Sequence, residues 1–385
     1  METKEMVPKL RFPDFVENWN KVKLGDVSRY FNGGSFEGDV KKEGKYELIT
    51  LKSINVNGEL VSSKRFIDND TNTLSKGTLI MILSEQAPGL LGMTTIIPED
   101  NKYVLNQRVA EIRPNDKAHN LFLSLAINTK QRYFSKHGAG TKVQNISKPN
   151  VEKFEFCLPE KKEQQKIASF LSSVDEKISQ LEKKKTLLET YKRGIMQKIF
   201  SQELRFKDES GQEFPDWELT DLGSISDIKI GEFVIKTKQN PNGKFPVYNG
   251  GKTETGYYDE YNNEGDKVII SARGANAGYV NYEKNRFWGG NSCYSIKILN
   301  GNNTIFFFQQ IKHFQRKFTD YQQAANIPSV SKKDVAVFKV SVPIKKEQQK
   351  IASFLSSIDK KIEITSTQLE KTREFKKGLL QQMFV

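Results

Sequence analysis

Apolar side chains recur in alternating steps of four and three along residues 160–200, at Ile167, Leu171, Val174, Ile178, Leu181, Leu188, Ile195 and Ile199. The same rhythm returns at Ile351, Leu355, Ile358, Ile362, Leu369, Leu379 and Met383. A stripe of mean spacing 3.5 predicts a coiled-coil seam on a long helix. Each run of about 40 residues predicts a rod of about 60 Å at 1.5 Å per residue. Pro159 and Pro343 stand just ahead of the two starts, where proline is tolerated. Polar residues interrupt the stripe at Lys185 and Lys192 in one run and at Thr365, Thr372 and Lys376 in the other. Such breaks cost stability; they can fix register, or face a different subunit instead. The simplest partner for each stripe is the other; the alternative is that each helix packs on its own globular domain.

The intervening stretches have a different texture. Residues 20–158 and 214–342 are rich in Gly, Asn, Phe, Tyr and β-branched residues, with short apolar runs such as Thr78–Leu83 and Lys267–Ser271 between turn clusters such as Asn32-Gly33-Gly34 and Asn249-Gly250-Gly251. They predict β-rich mixed domains with short helices over Leu121–Ile127 and Ile305–Phe318. The fold class is therefore α+β: two β-rich domains (1–158 and 201–342), a central spacer helix (159–200) and a C-terminal spacer helix (343–385).

The two halves are copies. KKEQQKIASFLSS runs from Lys161 to Ser173 and again, letter for letter, from Lys345 to Ser357. Fainter matches link Leu10-Arg11-Phe12 to Leu204-Arg205-Phe206, Trp19 to Trp217, Leu24-Gly25 to Leu222-Gly223, Asn106 to Asn291, and Ser147-Lys148 to Ser331-Lys332. A repeat of this length marks a molecule built from two equivalent units. The first helix runs at once into Leu204-Arg205-Phe206. The second ends at Phe384, and its missing continuation is Leu10-Arg11-Phe12 at the other end of the chain. This circular order predicts adjacent termini, antiparallel helices and a pseudo-twofold axis.

Charge narrows the class. The chain carries 60 Lys+Arg against 47 Asp+Glu, a net +13, which favours a polyanionic partner. The excess is uneven, since residues 201–343 hold 18 basic against 17 acidic groups. Contact with a polyanion there has to come from a local patch, or phosphate binding has to lean on partner subunits. Catalytic constellations are mostly missing. Three histidines and two cysteines, Cys157 and Cys293, show no zinc spacing. Gly251-Lys252-Thr253 resembles the end of a P-loop, but Pro246 stands where the first glycine belongs. No Asn-Pro-Pro-aromatic motif appears, and Pro13-Asp14 with Glu43 and Lys45 matches a nuclease pattern only loosely. With no apolar run near 18 residues, no signal-like N-terminus and no disulfide framework, a reducing cytoplasm and no membrane contact are expected.

The paired Pro-x-Lys-Lys-Glu-Gln-Gln-Lys-Ile-Ala-Ser-Phe-Leu helices, the Leu-Gly starts and the circular order together resemble the specificity subunits of type I restriction–modification systems. The resemblance covers essentially the whole chain. It implies that each globular domain is a target recognition domain reading one half of a split site in double-stranded DNA. The helices then set the spacing and dock two methyltransferase subunits, and motor–nuclease restriction subunits complete the enzyme. It also implies no cofactor in this chain; S-adenosylmethionine, ATP and Mg belong to the partners, as does catalysis. A coiled-coil adaptor without sequence-specific DNA binding is the competing class.

Candidate DNA contacts follow from loop chemistry. Ser271, Arg273 and Asn276 occupy a Gly-rich loop after a strand, where Arg273 suits guanine or phosphate and Asn276 an adenine edge, with an ordinary hairpin loop as the alternative. The equivalent loop in the first half offers Gln86. Asn106, Gln107 and Arg108 form a polar triplet paired with Asn291, with strand capping as the alternative role. Lys136, Lys142 and Gln144 precede the first long helix, and Arg316 and Gln322 hold the matching place before the second. Trp19 and Trp217 are expected to be core anchors.

Overall fold

The computed structural model describes residues 6–68, 72–86, 88–320 and 328–385. It contains two compact units, one formed by Met1–Leu181 with Gln368–Val385 and the other by Glu182–Thr367.

Unit 1 is built on a four-stranded antiparallel sheet in the order Ser28–Asn32, Val109–Pro114, Leu79–Ile82, Thr94–Ile96. Beside it lies a three-stranded mixed sheet in which Tyr46–Ile49 pairs antiparallel with Phe66–Ile67 and parallel with Tyr103–Leu105. The helix Asn120–Asn128 packs Phe122, Leu123 and Ile127 into the same core as Leu79, Met81 and Ile112. Unit 2 repeats the plan. Its four-stranded sheet runs Ser226–Ile230, Cys293–Ile298, Lys267–Ser271, Val280–Glu283, and its mixed sheet joins Phe245–Tyr248 to Gly256–Tyr258 and Trp288–Gly289. The single helix expected over Ile305–Phe318 is two, Thr304–His313 and Arg316–Asp320. The break lets Phe318 turn into the core, where its ring stacks on Phe338 with centroids 4.5 Å apart.

The long helices span Lys161–Phe200 and Lys345–Met383. In unit 1, Ile167, Leu171, Val174, Ile178 and Leu181 share one core with Leu369, Leu379 and Met383 of the second helix and with the recognition-domain residues Trp19, Phe122 and Phe154. In unit 2, Ile351, Leu355 and Ile358 share a core with Met196, Ile199 and Phe200, and with Phe306 and Phe338; Ile362 packs at its edge. The stripe thus serves both expected purposes, seating each helix on its own domain and on the other helix. Ion pairs show the direction of that packing: Lys376 holds Asp175 at 2.5 Å in unit 1 and Lys192 holds Asp359 at 2.7 Å in unit 2. As one partner number rises the other falls by the same amount, which is antiparallel pairing. Lys192 and Lys376, which interrupt the stripe, are therefore register pins. Thr365 and Thr372 instead return their hydroxyls to the carbonyls of Lys361 and Gln368.

The repeated Glu-Gln explains why the motif is duplicated. Glu163 and Glu347 are fully buried. Glu163 accepts both Nε and Nη2 of Arg11 at 2.8 Å and the indole Nε1 of Trp19 at 3.2 Å. Glu347 accepts Nη2 of Arg205 at 3.0 Å and Nε1 of Trp217 at 2.9 Å. Gln164 accepts the His119 amide and donates to the carbonyls of Lys117 and Pro159. Gln348 accepts the Asn303 amide and donates to Asn302 Oδ1 and the Pro343 carbonyl. Burying such groups is tolerated only when each is satisfied, as here. Both tryptophans also meet a core phenylalanine edge-on, Trp19 with Phe122 and Trp217 with Phe306, as anchors do.

The circular order is visible in one hydrogen bond. Leu204 N donates to Lys198 O at 3.0 Å where the first helix runs on into the chain. At the equivalent place in unit 1, Leu10 N donates to Gln382 O at 2.9 Å, so the N-terminal segment meets the second helix as Leu204 meets the first.

Candidate nucleic-acid interface

In unit 1 the candidate residues gather at one end of the sheets because short pairings tie their loops together. Ser84–Glu85 pairs antiparallel with Gln144–Asn145, and Ser84 Oγ donates to Asn145 Oδ1 at 2.6 Å. Leu83 N donates to Arg108 O at 3.0 Å, and Ile146 N to Leu83 O at 3.0 Å. The segments that carry Gln86, Arg108 and Gln144 are thereby tied together. Buried Glu85 stiffens the loop by accepting the amides of Leu90 and Leu91 at 2.7 and 2.8 Å. Gln86, Gln107, Arg108, Lys136 and Lys142 are exposed, and Gln144 is half-buried.

Unit 2 builds the corresponding edge from other residues. Arg273 bridges Ser329 through its backbone, and Ala272 N donates to Ser292 O at 2.7 Å. Asn276 Nδ2 donates to Gly250 O at 3.4 Å, and Ser292 N to Asn249 Oδ1 at 2.8 Å. The Asn249–Lys252 turn, the Arg273 loop and the turn carrying Asn291 form one patch. Arg273 and Lys252 are exposed, and Asn276 and Asn291 are half-buried. Arg316, also exposed, opens the short helix whose Phe318 lies against Gly278 at the end of the Arg273 loop. Gln322 lies outside the described residues.

Two candidates are turned inward. Ser271, 1% exposed, donates to Gly251 O at 2.8 Å and so holds the neighbouring turn rather than presenting a hydroxyl. Asn106, 2% exposed, donates to Glu37 Oε1 at 3.1 Å. That carboxylate is also paired with Arg65 at 2.6 Å, and Arg65 with Asn106 holds its pKa below the ordinary value. Both residues are neighbours of candidate readers along the chain, but alternation at the strand end points their side chains into the fold.

Lys252 joins the patch although only its place in a Gly-rich turn hints at this in the sequence. Phe233, 72% exposed directly after the Glu232–Gly290 bridge, carries no such hint. Among the described residues no group of His, Cys, Asp and Glu is arranged to hold a metal ion. Cys293 is buried, and that burial pushes its thiol up to about 12, leaving it a neutral core group. Among the described residues no helix is long and apolar enough to cross a membrane.

The family model for the type I restriction modification DNA specificity domain matches this chain twice, over residues 16–190 and 215–372. The chain is 23% identical to the specificity subunit of a type I restriction enzyme of Methanocaldococcus jannaschii, over 96% of this chain and 92% of that one. It is 24% identical to a protein of Mycoplasma genitalium provisionally named a type I specificity subunit, over 98% and 97% of the two chains. The crystal structure of a type I restriction–modification S subunit from M. genitalium superposes with a TM-score of 0.73 at 22% identity, covering 99% of each chain.

Proposed function

Because this chain belongs to the type I restriction–modification DNA specificity family, we propose that its two units read the two halves of a bipartite site in double-stranded DNA while its helices dock two copies of one methyltransferase subunit. The observation that carries this reading is where the two copies agree and where they differ. Identity at buried Glu163, Gln164, Ile167 and Leu171 follows from packing. Identity at Lys162, Gln165, Ser169 and Ser173, exposed in both copies, does not. A surface kept the same on both units suits the same partner twice. The loop edges differ, Gln86 and Arg108 against Arg273 and Lys252, which suits two different half-sites.

The helices carry a second duplicated surface. Tyr191 and Phe375 hold equivalent places and are 53% and 54% exposed. Three residues on, Gly194 and Gly378 sit inside helices where an added Cβ meets nothing within 4 Å. Glycine in a helix interior costs about 1 kcal/mol relative to alanine, and nothing inside the fold requires it at either place. Close approach by a partner's backbone does. Gly194→Leu and Gly378→Leu are each expected to remove one methyltransferase subunit from the complex without lowering the melting temperature of the chain. Native mass spectrometry reads the count; a full complement of two on the double variant contradicts the proposed docking. Methyl transfer to adenine, with S-adenosylmethionine, and restriction, with ATP and Mg, belong to the partner subunits in this reading.

A further inference from the structure

Phe233 is the most exposed aromatic side chain among the described residues, and the fold goes to some length to keep it there. Gly231 N donates to Cys293 O at 3.2 Å and Glu232 N to Gly289 O at 2.9 Å. An added Cβ on Gly231 lies 2.1 Å from Gly289 O, so only glycine admits this approach. On the other side, Tyr258 OH donates to Ile235 O at 2.7 Å and Lys238 N to the same carbonyl at 3.1 Å. Val234 turns inward against Gly290. The loop is pinned on both flanks while the phenyl ring between them faces solvent. Burying such a side chain is favourable, and folding of the isolated chain forgoes that gain here.

Its neighbours say what the ring meets. Glu232 forms a parallel bridge with Gly290, and Phe233 and Asn291 are the residues that directly follow the two bridged positions. Asn291 leads into Ser292, whose carbonyl accepts from Ala272, and Arg273 comes directly after. The loop that carries the ring is thus joined through this bridge to the turn of Asn291, and that turn to the loops of Arg273 and Lys252. Those loops couple cations with amides, a composition suited to DNA. At the corresponding place in unit 1, between the bridge Gly34–Asn106 and Phe36, the residue is Ser35.

We propose that Phe233 is a nucleobase contact of unit 2: its ring takes up apolar base surface in the half-site which that unit reads, a contact that unit 1, with Ser35, does not make. The proposal rests on the DNA-reading function above and deepens it. Held out by a pinned loop, the ring loses little freedom on binding, and apolar contact with bases discriminates sequence without adding charge.

The test uses the chain in complex with its methyltransferase subunits and two duplexes, one carrying the full target and one with the unit 2 half-site scrambled. Phe233→Ala is expected to weaken binding to the target about ten-fold or more. Binding to the scrambled duplex and the slope of affinity with salt should stay unchanged, because no phosphate contact is lost. Phe233→Leu should recover part of the loss. Native affinity in the alanine variant overturns the proposal, as does an equal loss on both duplexes. Loss of methyltransferase from the complex overturns it too, since the ring is then a protein contact. If the native complex fails to distinguish the duplexes, it is the DNA-reading function that fails, and the assignment of Phe233 falls with it.

Discussion

Glu163→Ala is expected to destabilise unit 1 by about 3–5 kcal/mol, the cost of removing one partner from a buried charged pair. The carboxylate is fully buried, and three donors converge on it: two from Arg11 at 2.8 Å and the Trp19 indole at 3.2 Å. Truncation leaves a guanidinium and an indole N–H without their acceptor, each an unmet desolvation cost. The equivalent Glu347→Ala breaks the same chemistry with Arg205 and Trp217. The two variants should nevertheless differ in kind. Arg205 lies on a segment continuous with the first long helix. Arg11 lies on the N-terminal segment, which reaches the second helix through the Leu10–Gln382 hydrogen bond. Glu163→Ala should therefore free residues 6–19 to proteolysis and hydrogen exchange as well as lower the urea midpoint, whereas Glu347→Ala should only lower the midpoint. Unchanged midpoints in both variants contradict the anchoring role assigned to the repeated motif.

Arg273→Ala should weaken binding of the assembled complex to its target by about 10- to 100-fold, the worth of one good base contact. Arg273 is exposed on a loop held by the Ser329 bridge and by Ala272 to Ser292, and among the described residues it forms no salt bridge. By contrast Arg65, Arg113 and Arg286 are each paired with a glutamate. If Arg273 reads a base, preference relaxes at one position of the unit 2 half-site and the salt slope holds. A uniform loss over all sequences, with the slope reduced by about one, makes it a phosphate contact instead. An unchanged affinity removes it from the interface.

The helices and the duplication are legible in the sequence because they are periodic. The step pattern from Ile167 to Leu181 needs no tertiary information, and Lys192 and Lys376, which break the stripe, mark the register pins that meet Asp359 and Asp175. Circular order is legible as well, since Leu10-Arg11-Phe12 repeats the Leu204-Arg205-Phe206 that continues the first helix. The anchoring carboxylates are not. Glu163 and Glu347 look like ordinary first-turn acids in a lysine-rich stretch, and only the recurrence of Trp19 and Arg11 with them points inward. Ser271 and Asn106 mislead for a related reason: at a strand end, one residue of offset turns a side chain from solvent to core.

The loop edges resist reading because the two units solve equivalent problems with different residues. Asn128 in unit 1 accepts the Thr94 amide at 2.9 Å and donates to its carbonyl at 2.9 Å. In unit 2 the task is divided. Lys312 donates to Val280 O at 2.7 Å and Gln315 accepts the Val280 amide at 3.2 Å. Lys312 lies 3.5 Å above the Tyr279 ring, and burial draws its pKa down to about 8. A single sequence shows no equivalence between Asn and a Lys–Gln pair. For the same reason Phe233, set against Ser35, does not stand out from the loop composition.

Adenine-methylation mapping by long-read sequencing is the decisive measurement of site selection by this chain. A host genome is sequenced after expression of the chain with its methyltransferase subunit, beside a control expressing the methyltransferase alone. The expected result is a split motif, two short defined halves around a fixed unspecified gap, present only with this chain. Exchanging residues 20–158 for those of a relative should then change one half and leave the other. Methylation that is absent, or the same in both cultures while the proteins co-purify, contradicts site selection by the two units and favours a coiled-coil adaptor that selects no site.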